Sequence, residues 1–426
     1  MLYFYYLDAI MRFLRKIVLA VCLIILLALL KILFARTLPQ SLIFHYNAIS
    51  SLQLLLLLWA VITGLLESTI WKGLPTSAAR RKGFFSFLGI ALLTETICLL
   101  LLHHPKAIPR PFINSFRYYY DNYDRDILQY NTIISRYDPK LFYRMIGNNR
   151  SLFSNIEFSD SIVTDSNGMR NDNQTARKAK ILCLGDSYTL GWGLQQNESY
   201  PAQLQDILQK PVLNTGMSSY GTIREVTSVS PLEKSGVSTI IIQYCYNDAG
   251  ENQAYTNDHF HLNVSPKTTY DSAVNVLKWS NLYFPGKCFC TLTKYLLREQ
   301  LGALLKRTTA ASRNQANDQA AEAAGYQSEA RWFIDILKHS GWDLRRIHVF
   351  VFDICDYQEL TGKFISALGQ ELTKPENIQL KDHVHPLHIE QLLTPEDYYI
   401  LDEHIRPSGA AKLARFVAGA INAAQP

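Results

Sequence analysis

The polarity of the chain changes abruptly near residue 105. Before that point three long apolar runs dominate, at 17–35, 48–66 and 84–102. Each is close to the ~20 residues that cross a hydrocarbon core. The first is broken only by Lys31, and the third carries Thr94, Glu95 and Thr96. A cleaved leader fits the first run poorly, because it is long and no clear small-x-small site comes after it. The pattern predicts a membrane domain over 1–104 with three transmembrane helices. A charge inside a span is either paired or functional, so Lys31 and Glu95 are expected to form an interhelical pair that fixes the bundle.

After the proline-punctuated stretch 105–111, residues 112–178 are rich in Tyr, Asn and Asp. Short strands are expected over 153–165, with Asn167-Gly168 as a turn. This segment, 105–178, reads as a β-rich lead-in that packs on the domain beginning near residue 179. From Lys180 the pattern alternates short apolar runs with helical periods. Strands are expected at 181–184, 212–214, 239–244 and 347–352, and a closing helix begins at Pro407-Ser408. Such alternation argues for a parallel sheet covered by helices. The 250–340 stretch is too long for a simple crossover. Helices at 287–305 and 315–338, joined by a polar Ser/Asn/Gln linker, predict a helical insertion capping the site.

Composition narrows the function. The net charge of +5 comes partly from basic clusters beside the apolar runs. No basic stripe with interleaved aromatics exists, so nucleic acid is a poor partner. Arg12, Arg15 and Lys16 precede the first run; Lys72, Arg80, Arg81 and Lys82 separate the second from the third; Arg36 alone follows the first. The positive-inside rule then puts the N-terminus in the cytoplasm and everything beyond residue 102 outside it, in the periplasm or cell exterior. Of the seven cysteines only Cys288 and Cys290 are close in sequence, too close for a zinc knuckle, although one disulfide in that region is compatible with export. His383, His385 and His388 lie in a loop-like stretch with Pro386, where site-wall or solvent positions are expected rather than a metal site.

The chemistry-bearing residues fall at the ends of the expected strands. Gly185-Asp186-Ser187 follows the first and delivers a serine to a helix start, beside unpaired N–H groups and the positive end of the dipole. Asn214-Thr215-Gly216 follows the second, and Asn247-Asp248 follows the third. Asp402-Glu403-His404 precedes the last helix. Carboxyl ends of parallel strands are where open α/β sheets gather their sites. Acyl transfer by serine needs a nucleophile, a base, a group that orients the base, and oxyanion donors.

This ordered set resembles the SGNH (GDSL-like) hydrolase family over about residues 179–426. The resemblance implies a flavodoxin-like three-layer sandwich with a five-stranded parallel sheet. It implies Ser187 as nucleophile, His404 as base and Asp402 as its orienting partner. It also implies an oxyanion hole made by the N–H groups of Ser187 and Gly216 and the Asn247 side chain. Many family members space the last pair as Asp-x-x-His. Here the aspartate stands two residues before His404, and Glu403 is a weaker alternative. The mechanism requires no cofactor and no metal. The expected activity is that of a membrane-anchored esterase or deacylase acting outside the cytoplasm on O-acyl groups of an envelope glycan or lipid. An envelope O-acyltransferase, working beside a membrane acyltransferase partner, uses the same residues. A catalytically silent glycan-binding or scaffold domain is the alternative from another class.

Overall fold

A computed structural model describes residues 2–37, 42–70, 75–171, 179–230, 236–309, 315–357 and 360–424. Lys72, the end of the lead-in at 172–178 and the centre of the polar linker at 310–314 lie outside the described residues. The chain forms two compact units, Met1–Arg125 with Asn275–Ala311, and Asp126–Val274 with Ser312–Pro426. These units cut the chain differently from the expected segments 1–104, 105–178 and 179–426: residues 105–125 and 275–311 group with the apolar helices.

The first unit is built on α1 (Leu2–Thr37), α2 (Leu42–Thr69) and α3 (Thr76–His103), followed by the short α4 (Ile113–Tyr123). Each of the first three contains a stretch long and apolar enough to cross a membrane: Phe13–Lys31, Tyr46–Glu67 and Thr76–His103. Their outward faces are apolar. Leu29, Leu93 and Leu100 are each more than half exposed, the inverse of a water-soluble helix. α1 and α2 approach closely where Gly64 meets the Phe13 ring. Lys16 donates to Glu67 at 2.5 Å near one end of that pair.

The expected Lys31–Glu95 pair does not form. Lys31 Nζ stands 4.0 Å over the Tyr46 ring. Glu95, buried, accepts instead from Tyr283 Oη at 3.1 Å and from the backbone N–H groups of Cys288 (3.3 Å) and Phe289 (2.8 Å). The physical reason is that the Glu95 face of α3 meets a returning segment, the Lys287–Thr309 helix, rather than α1. All seven cysteines are free, Cys288 and Cys290 included.

The second unit is mixed α/β around a five-stranded parallel sheet. Its strands are β5 (Ile181–Leu184), β6 (Val212–Asn214), β7 (Thr239–Tyr244), β8 (His348–Asp353) and β9 (Val384–Pro386), in spatial order β6-β5-β7-β8-β9. Side-chain alternation sends Leu182, Leu184, Ile240, Ile242, Val349 and Val351 into one core and Ile181, Cys183, Ile241, Phe350 and Phe352 into another. Both faces are covered, which is why these strands read as unbroken apolar runs. The Gln315–His339 and Lys363–Glu371 helices pack on the first face; Tyr200–Leu208 and Pro407–Ala424 pack on the second.

The stretch 250–340 is divided between the two units. Its last helix supplies Phe333, Ile334 and Leu337 to the sheet's own core, while 275–311 belongs to the other unit. The stretch around His385 is not a loop. Residues 384–386 form an edge strand, with Pro386 at its end, where a missing N–H is tolerated. His385 stacks on Phe350 with ring centroids 4.7 Å apart, and its Nε2 lies 3.0 Å from His348 Nδ1. Burial, then the neighbouring His348 and His383, hold the His385 pKa down. No group of His, Cys, Asp or Glu among the described residues is arranged to hold a metal ion.

Before the sheet come two antiparallel hairpins, β1 (Ser135–Asp138) with β2 (Phe142–Met145) and β3 (Arg150–Asn155) with β4 (Phe158–Val163). Tyr143, Met145, Phe153 and Ile162 join the first core, so this part of the lead-in is built into the α/β unit.

Asp353, at the end of β8, has a pKa pushed up to about 6 by burial and then by Glu390, against its own backbone hydrogen bond and His388. Its native form therefore holds a proton that the unfolded chain releases near pH 4. That contribution to stability is complete below about pH 4 and is lost as pH rises through about 6. Asp353→Asn is expected to flatten the fall. Relative to wild type it gains on the order of 2 kcal/mol at pH 8 and little at pH 4, read from thermal unfolding at the two pH values.

Candidate active site

β5 ends at Leu184, and the chain turns through Gly185 into a single helical turn, Ser187–Leu190. Gly185 has φ +152°, and a Cβ there would collide with Thr189 Oγ1 and stand 2.5 Å from Gln243 Oε1. Only glycine lets the strand pass this point. Gln243 Oε1 accepts from the Asp186 N–H (3.0 Å) and from Thr189 Oγ1 (3.1 Å). Asp186 caps the turn by accepting from the Tyr188 N–H at 3.1 Å. Gly191, in the left-handed region, closes the turn. Ser187 is thereby held rigidly with 7% of its surface exposed. Its own N–H, at the first position of the turn, has no partner within that turn.

His404 Nε2 lies 2.7 Å from Ser187 Oγ, and His404 Nδ1 lies 2.5 Å from Asp402 Oδ1. Asp402 is fully buried and also accepts from the His404 N–H (3.1 Å) and from Trp192 Nε1 (3.2 Å). The Trp192 ring stacks on His404 at 4.9 Å and 16°, and Tyr188 flanks it at 4.8 Å. The imidazole is thus fixed in plane by two rings and in rotation by a carboxylate. That geometry assigns the Nδ1 proton to the Asp402 side and leaves Nε2 to accept from the Ser187 hydroxyl. Glu403 does not take the partner role; its backbone carbonyl accepts from Tyr188 Oη at 3.1 Å.

The expected oxyanion donors are placed differently from one another. Gly216 follows β6 beside the serine turn; a Cβ would collide with the Leu190 N–H and the Thr189 carbonyl carbon, so close approach demands glycine. Its N–H, however, donates to Asn214 Oδ1 at 3.0 Å. Asn247 stands exposed at the end of β7, at the start of the Asp248–Asn257 helix. Ser187, Gly216 and Asn247 all follow the carboxyl ends of adjacent strands, β5, β6 and β7.

Three contributors were not visible as site residues in the sequence. Glu157, in the β3–β4 turn, accepts from three successive backbone N–H groups, Ile400 (2.9 Å), Leu401 (2.6 Å) and Asp402 (3.0 Å). It holds the loop that carries Asp402. Arg170, fully buried, donates to the carbonyls of Leu190 (3.1 Å), Gly191 (2.5 Å), Leu194 (2.5 Å) and Ser161 (3.2 Å), to Gln196 Oε1 (3.1 Å) and to Asp160 (3.2 Å). Asn171 exchanges two hydrogen bonds with the Asn214 backbone, at 2.7 and 2.9 Å. Nothing local in a Glu, Arg or Asn announces such a role. The only available signal was a polar, turn-rich segment directly ahead of the serine block.

Behind the serine lie Asp186, Glu225 and Asp248, all buried. Burial first raises all three pKa values; for Glu225 and Asp248 the neighbouring carboxyls then raise them further. These acids stay protonated at higher pH than ordinary carboxyls, and Asp186 is a cap rather than a rival partner for His404. No family model matches the chain, and no curated protein matches it in sequence.

Proposed function

We propose that the second unit is a serine hydrolase of the SGNH type. The observation that carries the reading is the line of hydrogen bonds from Asp402 through His404 to Ser187. The sheet order β6-β5-β7-β8-β9, which is 2-1-3-4-5 in order along the chain, supports the flavodoxin-like form of that fold. The more particular reading is a membrane-anchored esterase or deacylase that acts outside the cytoplasm on O-acyl groups of envelope glycan or lipid. The three membrane-length helices and the distribution of lysine and arginine around them support that location.

In this reaction Ser187 Oγ attacks the ester carbonyl carbon while its proton passes to His404 Nε2. Asp402 stabilises the imidazolium through Nδ1–H. The carbonyl oxygen becomes an oxyanion facing the Ser187 N–H. Its collapse breaks the ester C–O bond, and the leaving alcohol takes the proton from His404. Water, or an acceptor hydroxyl in the transfer variant, then gives its proton to His404 and attacks the acyl-Ser187 ester. Collapse breaks the acyl–Oγ bond, releases the acid or the new ester, and Ser187 Oγ takes the proton back from His404 Nε2. An oxyanion donor of this kind is typically worth about 3 kcal/mol of barrier. For the Gly216 N–H to serve as one, it must exchange Asn214 Oδ1 for substrate.

The test uses the full-length protein in detergent, because 275–311 packs with the apolar helices and truncation near residue 110 removes them. Release of a short-chain aryl alcohol from its ester is expected. Absence of release with every ester, and of acyl transfer to added glycan by mass spectrometry, would defeat the proposal. Glu157→Ala is expected to cut kcat about 100-fold with little change in KM, the scale set by a small displacement of the reacting groups. Glu157→Gln, which keeps one acceptor oxygen, is expected to recover a large part of that loss. Equal loss in both variants would contradict the positioning role.

A further inference from the structure

The segment 275–311 lies far from α2 and α3 in sequence yet belongs to their unit. Its contacts fix its height along those helices. Glu95, which binds the Cys288 and Phe289 N–H groups, is about 12 Å of helical rise from His103, where the apolar part of α3 ends. Gly286 packs on Leu55, where a Cβ would stand 3.3 Å from Leu55 Cδ1. Cys290 Sγ lies 3.7 Å from the Ser51 carbonyl, and Lys294 Nζ lies 3.3 Å from Ser51 Oγ. Ser51 and Leu55 are about 8 and 14 Å of rise from Tyr46, where the apolar part of α2 begins. If α2 and α3 both cross the membrane, the start of one and the end of the other share a side. Two independent rulers then give the same depth for residues 286–290.

The N–H groups of Lys287, Cys288 and Phe289, at the first three positions of this helix, would ordinarily be left to water, which hydrocarbon does not supply. Here the Lys287 N–H donates to the Phe284 carbonyl (3.1 Å), Cys288 and Phe289 donate to Glu95, and Cys290 donates to the Gly286 carbonyl (3.0 Å). The Lys287 ammonium is withdrawn from the surface and donates to the carbonyls of Tyr123 (2.6 Å) and Ser280 (2.8 Å). Meanwhile Leu282, Tyr283, Leu297 and Leu301 stand 46–60% exposed on the same segment. Around the helix start the polar groups are turned inward and Leu282 and Tyr283 outward; the outer end, with Arg298, Glu299 and Gln300 exposed, has the surface of a helix leaving hydrocarbon.

We propose that residues 282–294 form a fourth membrane-embedded element, a wedge that enters one leaflet and turns back at Gly286, with Glu95 as its anchor. Its partner is lipid acyl chain, met by Leu282 and Tyr283. This rests on the reading of α1–α3 as membrane spans. It leaves that reading with a defined role for Glu95: the carboxylate caps a re-entrant helix inside the bilayer.

The test is a nitroxide on p-acetylphenylalanine, placed singly at Leu282, Leu57 or Lys210 of the full-length protein in phosphatidylethanolamine/phosphatidylglycerol nanodiscs. Leu57 is exposed in the middle of α2, and Lys210 is exposed in the α/β unit. Collisions with oxygen and with a water-soluble nickel chelate are compared. The Leu282 label is expected to match Leu57, with oxygen access high and nickel access lost. Leu57 in lipid with Leu282 in water, like Lys210, would overturn the wedge alone. Leu57 in water would overturn the spanning reading and the wedge with it. In Glu95→Ala, hydrogen exchange at the Cys288 and Phe289 amides is expected to lose protection, while Glu95→Gln retains most of it. Unchanged protection in Glu95→Ala would remove Glu95 as the anchor.

Discussion

Ser187→Ala is expected to lower kcat for ester cleavage by about 10⁴–10⁶-fold while leaving thermal unfolding nearly unchanged. The size comes from geometry. Ser187 Oγ is the hydroxyl within 2.7 Å of His404 Nε2, and deleting it removes the bond-forming atom. The loss should not add to that of His404→Ala, because the two act as one unit. Asp402→Asn keeps the shape of the loop but offers His404 Nδ1 an amide, which disturbs the tautomer that Nε2 needs. A loss of about 10⁴ is expected there. A Ser187→Ala protein that retains wild-type turnover would remove the serine from the chemistry.

The largest expected effect on stability is at Arg170. Its guanidinium has no exposed surface, and it stitches the loop after the serine turn to the β3–β4 hairpin. Arg170→Met leaves the Asp160 carboxylate buried without its cation and four carbonyls without their donor. Breaking a buried pair from one side costs about 3–5 kcal/mol. Removing both partners is far milder, since the pair's own desolvation cost disappears with it. Arg170→Met/Asp160→Leu is therefore expected to recover more than half of the loss, measured as the unfolding midpoint of the full-length protein. A single variant with an unshifted midpoint would contradict the structural role. Activity should fall with stability in the single variant, because Arg170 also holds Leu190 and Gly191 at the end of the serine turn.

Much of the α/β unit was legible because its strands are buried on both faces. Runs such as Ile181–Leu184 and Thr239–Tyr244 have no polar side chain to hide them except Gln243 and the terminal Thr and Tyr, and they end at glycine, asparagine or cysteine. β9 escaped because three residues with a histidine and a proline carry no period. The helix at 315–339 was legible as a helix but not as a layer of the sheet, since its apolar residues cluster in its last turns. At the site, Ser187, Asp402 and His404 stand in short blocks whose residue types declare a chemistry. Glu157 and Arg170 do not, because their function is to bind backbone amides and carbonyls, which every residue possesses. The Gly216 N–H illustrates a further limit. Its glycine was readable, but its bond to Asn214 depends on a side-chain rotamer two residues away. Glu95 is the clearest case. A charge in an apolar run signals a partner, yet the partner is a helix start some 190 residues later, as the separations of 193 and 194 residues to Cys288 and Phe289 show.

The central claim is that Ser187 is a nucleophile activated by His404. The most direct measurement is labelling of the full-length protein with a serine-directed fluorophosphonate, followed by peptide mass spectrometry. The adduct is expected on Ser187, absent in Ser187→Ala, and formed far more slowly in His404→Ala. No adduct at Ser187, or labelling there at an undiminished rate in His404→Ala, would contradict it.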